Sequence, residues 1–282
     1  MILVAGGTGC LGREIVALLL ARGERVRVLT RTASRAPADV EVAIGDVRDR
    51  AAVAAATNGV RAVVSAVHGF AGANVDPESV DRDGNANLVE AAGASGVAHF
   101  VLLSVHGASA EHPIELFRMK HAAEQTLRAS DLSWTILRPT AFLETWLGIL
   151  GAPLLRSGKT TVFGRGENPI NFVSARDVAR YVDHALQDPS LRGRVVDVAG
   201  PENLTFHELL ARFETVTGAR GKRSHVPLPV MRAAAVLMKP IKPSLARQIR
   251  AGVVMDTTDM TCNVAPVLAP TSVADAIRRA YG

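Results

Sequence analysis

Apolar residues follow two spacings along the first two hundred positions. Short unbroken apolar runs, such as Ile2-Leu3-Val4-Ala5, suit strands buried on both faces of a parallel sheet. Recurrence every three or four residues, as at Leu11, Ile15, Leu18 and Leu19, suits helices packed against such a sheet. The pattern predicts strands near 2–5, 25–30, 41–44, 61–65, 98–103, 133–137 and 194–198. It predicts helices near 11–22, 49–57, 78–94, 114–129, 141–150 and 175–186. Strands and helices in regular alternation define an α/β chain with a doubly wound parallel sheet.

Beyond residue 200 the texture changes. Thr205-Phe206-His207-Glu208 is a capping box that opens a helix to about 217, and prolines follow at 227, 229, 240, 243, 266 and 270. A last helix over 272–281 begins at Ser272. The expected organisation is a core over 1–150, with 171–200 returning to the same sheet, and a smaller region formed by 151–170 and 201–282. In an open α/β sheet the ligand lies beyond the carboxyl ends of the strands, so that smaller region is expected to close over a substrate there.

The chemistry begins at the first turn. Between strand 2–5 and its helix stand Gly7-x-Gly9-x-x-Gly12, glycines that allow a tight turn, close backbone approach to a pyrophosphate and helix packed on strand. A second strand follows directly, completing the βαβ unit that gives the motif its meaning and makes the fold Rossmann-type. Gly6, Gly7, Thr8, Gly9, Cys10, Leu11 and Gly12 are therefore expected to cradle a dinucleotide phosphate at a helix N-terminus. About twenty positions on, where an acid would meet a free ribose 2′-hydroxyl, the chain reads Thr30-Arg31-Thr32-Ala33-Ser34-Arg35. Arg31 and Arg35, with Arg13 as a third donor, suit a 2′-phosphate, so the expected cofactor is NADP(H).

Composition narrows the class further. The chain has 282 residues, 48% of them hydrophobic, and a formal charge of +5, enough to bury a large core. Two cysteines, Cys10 and Cys262, build neither a disulfide framework nor a metal site, and no metal is expected. His106, His112 and His121 lack metal-ligand spacing. With the first strand at residue 2 and no apolar run of membrane length, a cytoplasmic protein without a membrane span is expected. The positive charge is concentrated: no acid stands between Glu214 and Asp256, while Arg220, Lys222, Arg223, Arg232, Lys239, Lys242, Arg247 and Arg250 do. The 215–255 region thus suits an anionic ligand, an acidic protein or a lipid surface, or is a solvated face. It has no interleaved aromatics, so nucleic acid is not expected.

Four further stretches complete a resemblance. Gly45-Asp46-Val47, Leu103-Ser104-Val105-His106-Gly107-Ala108, Lys120-His121-Ala122-Ala123-Glu124 and Thr135-Ile136-Leu137-Arg138-Pro139-Thr140-Ala141-Phe142 follow Gly6–Gly12 in order and spacing. Together they resemble the NmrA-like branch of the atypical short-chain dehydrogenase/reductase superfamily. The resemblance implies that Asp46 and Val47 border the adenine and that Ala66, Val67 and His68 pass the cofactor ribose. It also implies that Ser104 and Lys120 sit near the nicotinamide, with Pro139, Thr140, Ala141 and Phe142 at the same end. Against these stand plainer readings: a polar strand end for Ser104, a loop histidine for His68, and an exposed helix lysine paired with Glu124 for Lys120.

One departure divides the functional readings. Typical members carry Tyr-x-x-x-Lys, with tyrosine as proton donor, whereas Leu116 precedes Lys120 here and the chain holds only Tyr181 and Tyr281. An NADPH-dependent reductase of a small electron-poor acceptor, a quinone or enone, fits best, because hydride then generates a stabilised anion and no strong acid is needed. Lys120, Ser104 and His106 are its expected catalytic groups. The alternative is a non-catalytic NADP(H)-binding redox sensor or assembly subunit using the 215–255 surface. A sugar-nucleotide epimerase or reductase ranks third, for want of its tyrosine.

Overall fold

The computed structural model describes residues 1–70, 72 and 74–282. In chain order, β1 (Ile2–Ala5), α1 (Cys10–Ala21), β2 (Val26–Thr30), β3 (Glu41–Ile44), α2 (Arg50–Thr57) and β4 (Ala62–Ser65) come first. A π-helical segment, Glu78–Asp83, then runs into α3 (Gly84–Ala94), followed by β5 (His99–Leu103), α4 (Glu115–Arg128) and β6 (Trp134–Pro139). Next come β7 (Ala141–Phe142), α5 (Leu143–Trp146), a π-helical segment Leu147–Gly151, α6 (Ala152–Ser157), β8 (Lys159–Phe163) and β9 (Ile170–Val173). After α7 (Ala175–Gln187) and β10 (Arg194–Val198), the chain forms β11 (Asn203–Leu204), α8 (Phe206–Thr217), β12 (Lys222–Val226), α9 (Leu228–Met238), α10 (Pro243–Thr257) and α11 (Val273–Tyr281).

These elements make two compact units, Met1–Pro139 with Val178–Asp197, and Thr140–Asp177 with Val198–Gly282. The first carries the seven-stranded sheet, in the order β10-β6-β5-β4-β1-β2-β3, from all seven strands that the apolar runs predict. Every pairing from β6 to β3 is parallel. The chain leaves β1 toward β2 on one side and β4 on the other, so the switch point of the winding, and the crevice it makes, lies past the carboxyl ends of β1 and β4. Between the sheet and its covering helices, Leu3, Val63, Phe100, Leu102 and Ile136 are fully buried against Leu88 and Leu127.

The second unit has its own core of Phe172, Phe206, Leu209, Phe213 and Ile277 around a three-stranded sheet, β11-β9-β7. A separate parallel pair joins β12 to β8. Two expectations need correction. Residues 170–173 do not return to the large sheet: β9 pairs with β7 and β11, and the division falls after Pro139 rather than at 150. The single helix expected over 141–150 is instead a short strand, a helical turn and a π-helical segment, because Ala141 and Phe142 pair with Phe172 and Val173. Past residue 200 the capping signals hold: Thr205 and Glu208 bond reciprocally at the start of α8, and the Ser272 side chain accepts from the Asp275 amide at the start of α11.

Candidate functional site

The site is built at the switch point of the first unit. A positive φ of 87° at Gly6 turns the chain out of β1, one residue ahead of the glycine motif proper. Only glycine fits there, since a Cβ would lie 2.4 Å from the Ala66 carbonyl oxygen after β4. At Gly12 a Cβ would lie 2.1 Å from the Gly6 carbonyl oxygen, so α1 packs directly on the turn that it follows. Gly7 faces inward against Val16 and Val28, whereas Gly9 caps α1 without any side-chain hydrogen bond. The result is a helix N-terminus, with its dipole and uncapped first turn, aimed into a cleft.

That cleft encloses about 590 Å³ and gathers most of the residues that the sequence singles out. Gly6, Thr8, Gly9, Arg31, Arg35, Asp46, Val47, Ala66, Val67 and His68 line it, joined by Leu29, Thr30, Thr32, Gly45, Val75 and Val80. Cys10 is exposed at the first turn of α1, while Leu11 and Gly12 are buried beneath the loop. Arg31 and Arg35 are exposed, and among the described residues neither side chain has an ion-pair partner. Arg13 is committed elsewhere: its guanidinium donates to the Thr8 carbonyl at 3.2 Å and to the Arg35 carbonyl at 3.0 Å, tying the glycine turn to the arginine loop.

Asp46 shows a contact that sequence reasoning missed. Arg48 grips its carboxylate with two donors at 2.9 and 2.8 Å and also donates to the Asn74 carbonyl at 3.0 Å. The Arg48 hydrogen bonds hold Asp46 below the usual carboxylate range, with the charge of Arg31 adding to the effect. Across the cleft, His68 is open to solvent on one side, but crowding by protein on the other pushes its imidazole below the ordinary histidine value, and the Lys120 charge acts in the same direction.

Behind the cleft the polar side chains are closed on one another. Lys120 is 4% exposed, and its ammonium donates to the carbonyls of Val67 and Leu103, both at 2.9 Å, with Asp81 Oδ1 at 3.0 Å as counter-charge. Two donors are engaged by these carbonyls, while Asp81 Oδ1 supplies charge without a hydrogen bond of its own, so Lys120 ties the end of β5 to the loop after β4. The reading of Lys120 as an exposed partner of Glu124 is thereby overturned. Asp81 Oδ2 in turn accepts from the Gly69 amide at 2.8 Å. Ser65 donates to the Asn85 side chain, which donates to the Asp81 carbonyl, both at 2.6 Å.

A second buried cluster follows from β5. The Ser104 hydroxyl donates to Glu124, and Arg138 holds the same carboxylate in a fork at 2.8 and 2.6 Å. Ser104 is therefore more than a polar strand end, yet it is 6% exposed and its proton is already placed. His106, three residues beyond β5, is half-buried, and its Nδ1 donates to Asp197 Oδ1 at 2.8 Å. This bond, and the Arg138 charge to a lesser degree, keep Asp197 below the usual carboxylate range. Since a carboxylate only accepts, Nδ1 carries the proton and Nε2, without a partner among the described residues, is the open atom.

The remaining expected residues divide between the units. Pro139 ends β6, and its carbonyl accepts from the His106 amide at 2.9 Å. Thr140 belongs to the second unit, where its hydroxyl donates to Asn171 Oδ1 at 2.8 Å, and Ala141 and Phe142 form β7. Neither tyrosine stands in for the missing donor: Tyr181 is buried on α7, and Tyr281 packs edge-on to Phe213 in the second unit. Arg48, Asp81 and Asp197 were not singled out, and Glu124 was named only as a surface partner for Lys120. Asp197 alone left a mark in the sequence, as an acid set within the apolar run Val195-Val196-Asp197-Val198.

With that geometry in place, the chain takes its class from comparison with known proteins. Residues 6–189 match the model of a family described as NAD(P)H-binding. The chain is 33% identical over 273 residues to a (4-alkanoyl-5-oxo-2,5-dihydrofuran-3-yl)methyl phosphate reductase of Streptomyces griseus, covering 95% of this chain and 91% of the other. It is 31% identical over 222 residues to an NAD(P)H azoreductase of Xenophilus azovorans, covering 77% and 74% of the two chains. A Photosystem II assembly factor of Synechocystis is 28% identical over 236 residues, covering 82% and 72%. Among solved structures, the triphenylmethane reductase of Citrobacter complexed with NADP(H) superposes with a TM-score of 0.79 at 20% identity, covering 99% of this chain and 100% of that one. The chain belongs to the NAD(P)H-binding family, in the NmrA-like branch of the atypical short-chain dehydrogenases/reductases, an oxidoreductase family on a Rossmann-type sheet.

The cleft fits the cofactor that the family binds. Its floor is a turn that any Cβ at Gly6 or Gly12 would fill, its near wall is an uncapped helix start, and its rim offers two unpaired guanidinium groups.

Proposed function

We propose that this protein is an NADPH-dependent reductase of a small electron-poor acceptor, a quinone or a conjugated enone. The observation that carries the reading is the convergence of the Gly6–Gly12 turn with unpaired Arg31 and Arg35 on one cleft, in a chain of the NAD(P)H-binding family. In this reading Thr8, Gly9 and the first turn of α1 hold the pyrophosphate, Arg31 and Arg35 clamp the 2′-phosphate, and Asp46 and Val47 border the adenine. Ala66, Val67 and His68 pass the ribose. Bound there, the cofactor supplies the hydride. Lys120 acts as a positioning residue, because its protons fix the backbone carbonyls of Val67 and Leu103 rather than pointing at a ligand. Ser104, bonded to Glu124, positions the end of β5 in the same way. His106 is the one polar group of the β5 end with an open ring nitrogen; in its protonated form, with Nδ1 held on Asp197, it gives the Nε2 proton to the reduced acceptor and takes another from solvent.

The activities of two relatives support this class of acceptor. One is an azoreductase, and the other reduces a dihydrofuranone, a ring whose double bond is conjugated to carbonyl groups. The test is NADPH oxidation against a panel of quinones, azo dyes and unsaturated lactones. We expect turnover with at least one class, and His106→Gln to lower kcat on the order of a hundredfold while leaving the NADPH Kd unchanged. Tight NADPH binding with no turnover on any acceptor rejects the reading. It would favour a non-catalytic NADP(H)-binding assembly role, for which the similarity to the Photosystem II assembly factor is the specific support.

A further inference from the structure

Helix α9 presents apolar side chains in two directions at once. Toward the interior of the second unit it buries Met231, at 3% exposed. Outward, Val230, Val236 and Leu237 stand 54%, 73% and 66% exposed, and Ile241, in the turn to α10, is 68% exposed. Val230 and Leu237 are seven residues apart, so they lie on one line along the helix, with exposed Ala233 between them. The turn itself, Lys239-Pro240-Ile241-Lys242-Pro243, is exposed at every residue. Four large aliphatic side chains in water on one helix and its turn is a covered face without its cover.

The charge around that face says what the cover is. Lys239 and Lys242 flank Ile241, Arg232 and Arg250 stand on the two helices, and no acid occurs between Glu214 and Asp256. Among the described residues no carboxylate pairs with Arg232, Lys239, Lys242 or Arg250. Protein-binding centres are built on Trp and Tyr, and this stretch contains neither of them, nor Phe. Bare aliphatics beside lysines whose stems can snorkel are instead the chemistry of a lipid interface, the apolar tips entering the acyl boundary and the ammonium groups resting on phosphate. Among the described residues no helix is long and apolar enough to cross a membrane. We propose that the α9–α10 turn docks the protein on the surface of an anionic phospholipid bilayer, with Leu237 and Ile241 inserted and Lys239 and Lys242 on the headgroups. The contact stands independently of the reductase reading; if both hold, it brings the enzyme to acceptors dissolved in lipid.

The experiment is co-sedimentation of the full chain with phosphatidylcholine vesicles prepared with and without phosphatidylglycerol, at low and high salt. Partitioning is expected onto the phosphatidylglycerol vesicles, falling as salt rises. Leu237→Glu with Ile241→Glu should reduce the partition coefficient by roughly tenfold or more, given two apolar side chains withdrawn from lipid. Lys239→Gln with Lys242→Gln should reduce it by roughly fivefold per charge. Both variants should keep the parental thermal midpoint and NADPH affinity, which separates lost docking from lost folding. Equal sedimentation with and without phosphatidylglycerol, or partitioning that ignores both variants, overturns the proposal. So does a wild-type dimer by light scattering that Leu237→Glu/Ile241→Glu converts to monomer, because a second copy then covers the face, and so does binding to polyglutamate without binding to vesicles.

Discussion

At the rim of the cleft and in the wall behind it, the first unit uses the same kinds of charged side chain to opposite ends. On the rim Arg31 and Arg35 are exposed and unpaired, and the helix start beside them has no capping side chain. In the wall Lys120, Asp81, Glu124 and Ser104 are almost fully buried, and every charge meets its opposite within 3.0 Å. An open cation retains its field for a ligand, whereas a satisfied one has already spent it on the fold. On the proposed reading the rim residues bind the cofactor and the wall residues position the backbone, and that division can be broken in three places.

The largest effect belongs to the wall. Lys120→Met keeps the length of the side chain but leaves Asp81 buried without its counter-charge and the Val67 and Leu103 carbonyls without a donor. Removing one partner of a buried pair costs about 3–5 kcal/mol, so the urea midpoint should fall steeply. Adding Asp81→Asn should restore part of that loss, since the stranded charge is gone while the Gly69 amide retains an acceptor. If instead Lys120→Met unfolds like the parent and loses only NADPH affinity, the ammonium serves the ligand and the division between rim and wall is wrong.

The two regions also differ in how far the sequence reveals them. The rim is local: a glycine turn, the helix that follows and two arginines lie within thirty-five residues of the N-terminus, so spacing alone brings them together. The wall is assembled from distant positions. Asp81 reaches Lys120 across 39 residues only because α4 packs on the π-helical segment Glu78–Asp83, and His106 meets Asp197 across 91 because β6 lies between β5 and β10. Nothing in the run Glu78-Ser79-Val80-Asp81 distinguishes an acid that will be buried from one that will be solvated. The same limit applies to the second unit, where β8 and β12 pair across 63 positions, and neither Lys159-Thr160-Thr161-Val162-Phe163 nor Lys222-Arg223-Ser224-His225-Val226 is apolar enough to announce a strand.

A smaller effect tests the rim. Arg31→Ala and Arg35→Ala should each weaken NADPH binding by about ten- to a hundredfold, the worth of one charge-assisted contact of about 1.5–3 kcal/mol. NADH, without the 2′-phosphate, should bind the variants as it binds the parent. Both side chains are exposed and unpaired, so the thermal midpoint without ligand should not move. Equal losses for both nucleotides by calorimetry would place the arginines on the pyrophosphate and leave the choice of cofactor to another part of the cleft.

The smallest effect uses acid to tell the regions apart. His99 is 5% exposed in β5, its Nδ1 against Ser133 Oγ at 3.1 Å and its Nε2 against Thr135 Oγ1 at 3.2 Å, and burial, with the Arg192 charge second, lowers its affinity for a proton. The unfolded chain therefore binds a proton below the ordinary histidine value of about 6.5 while the folded chain does not. This stability is complete above that pH and is lost as pH falls from it toward the lowered folded value, by at most about 1.4 kcal/mol per pH unit. His68 and His112, lowered by crowding as well, add to the slope in the same direction. The rim carboxylate behaves otherwise: Asp46, held low by Arg48, remains charged throughout this window. Urea midpoints measured from pH 7.5 to 5.5 should thus decline, and His99→Asn should flatten the decline while lowering stability at neutral pH. Were the slope unchanged in that variant, the acid sensitivity would lie with His68 and His112 and not with the buried ring at the start of β5.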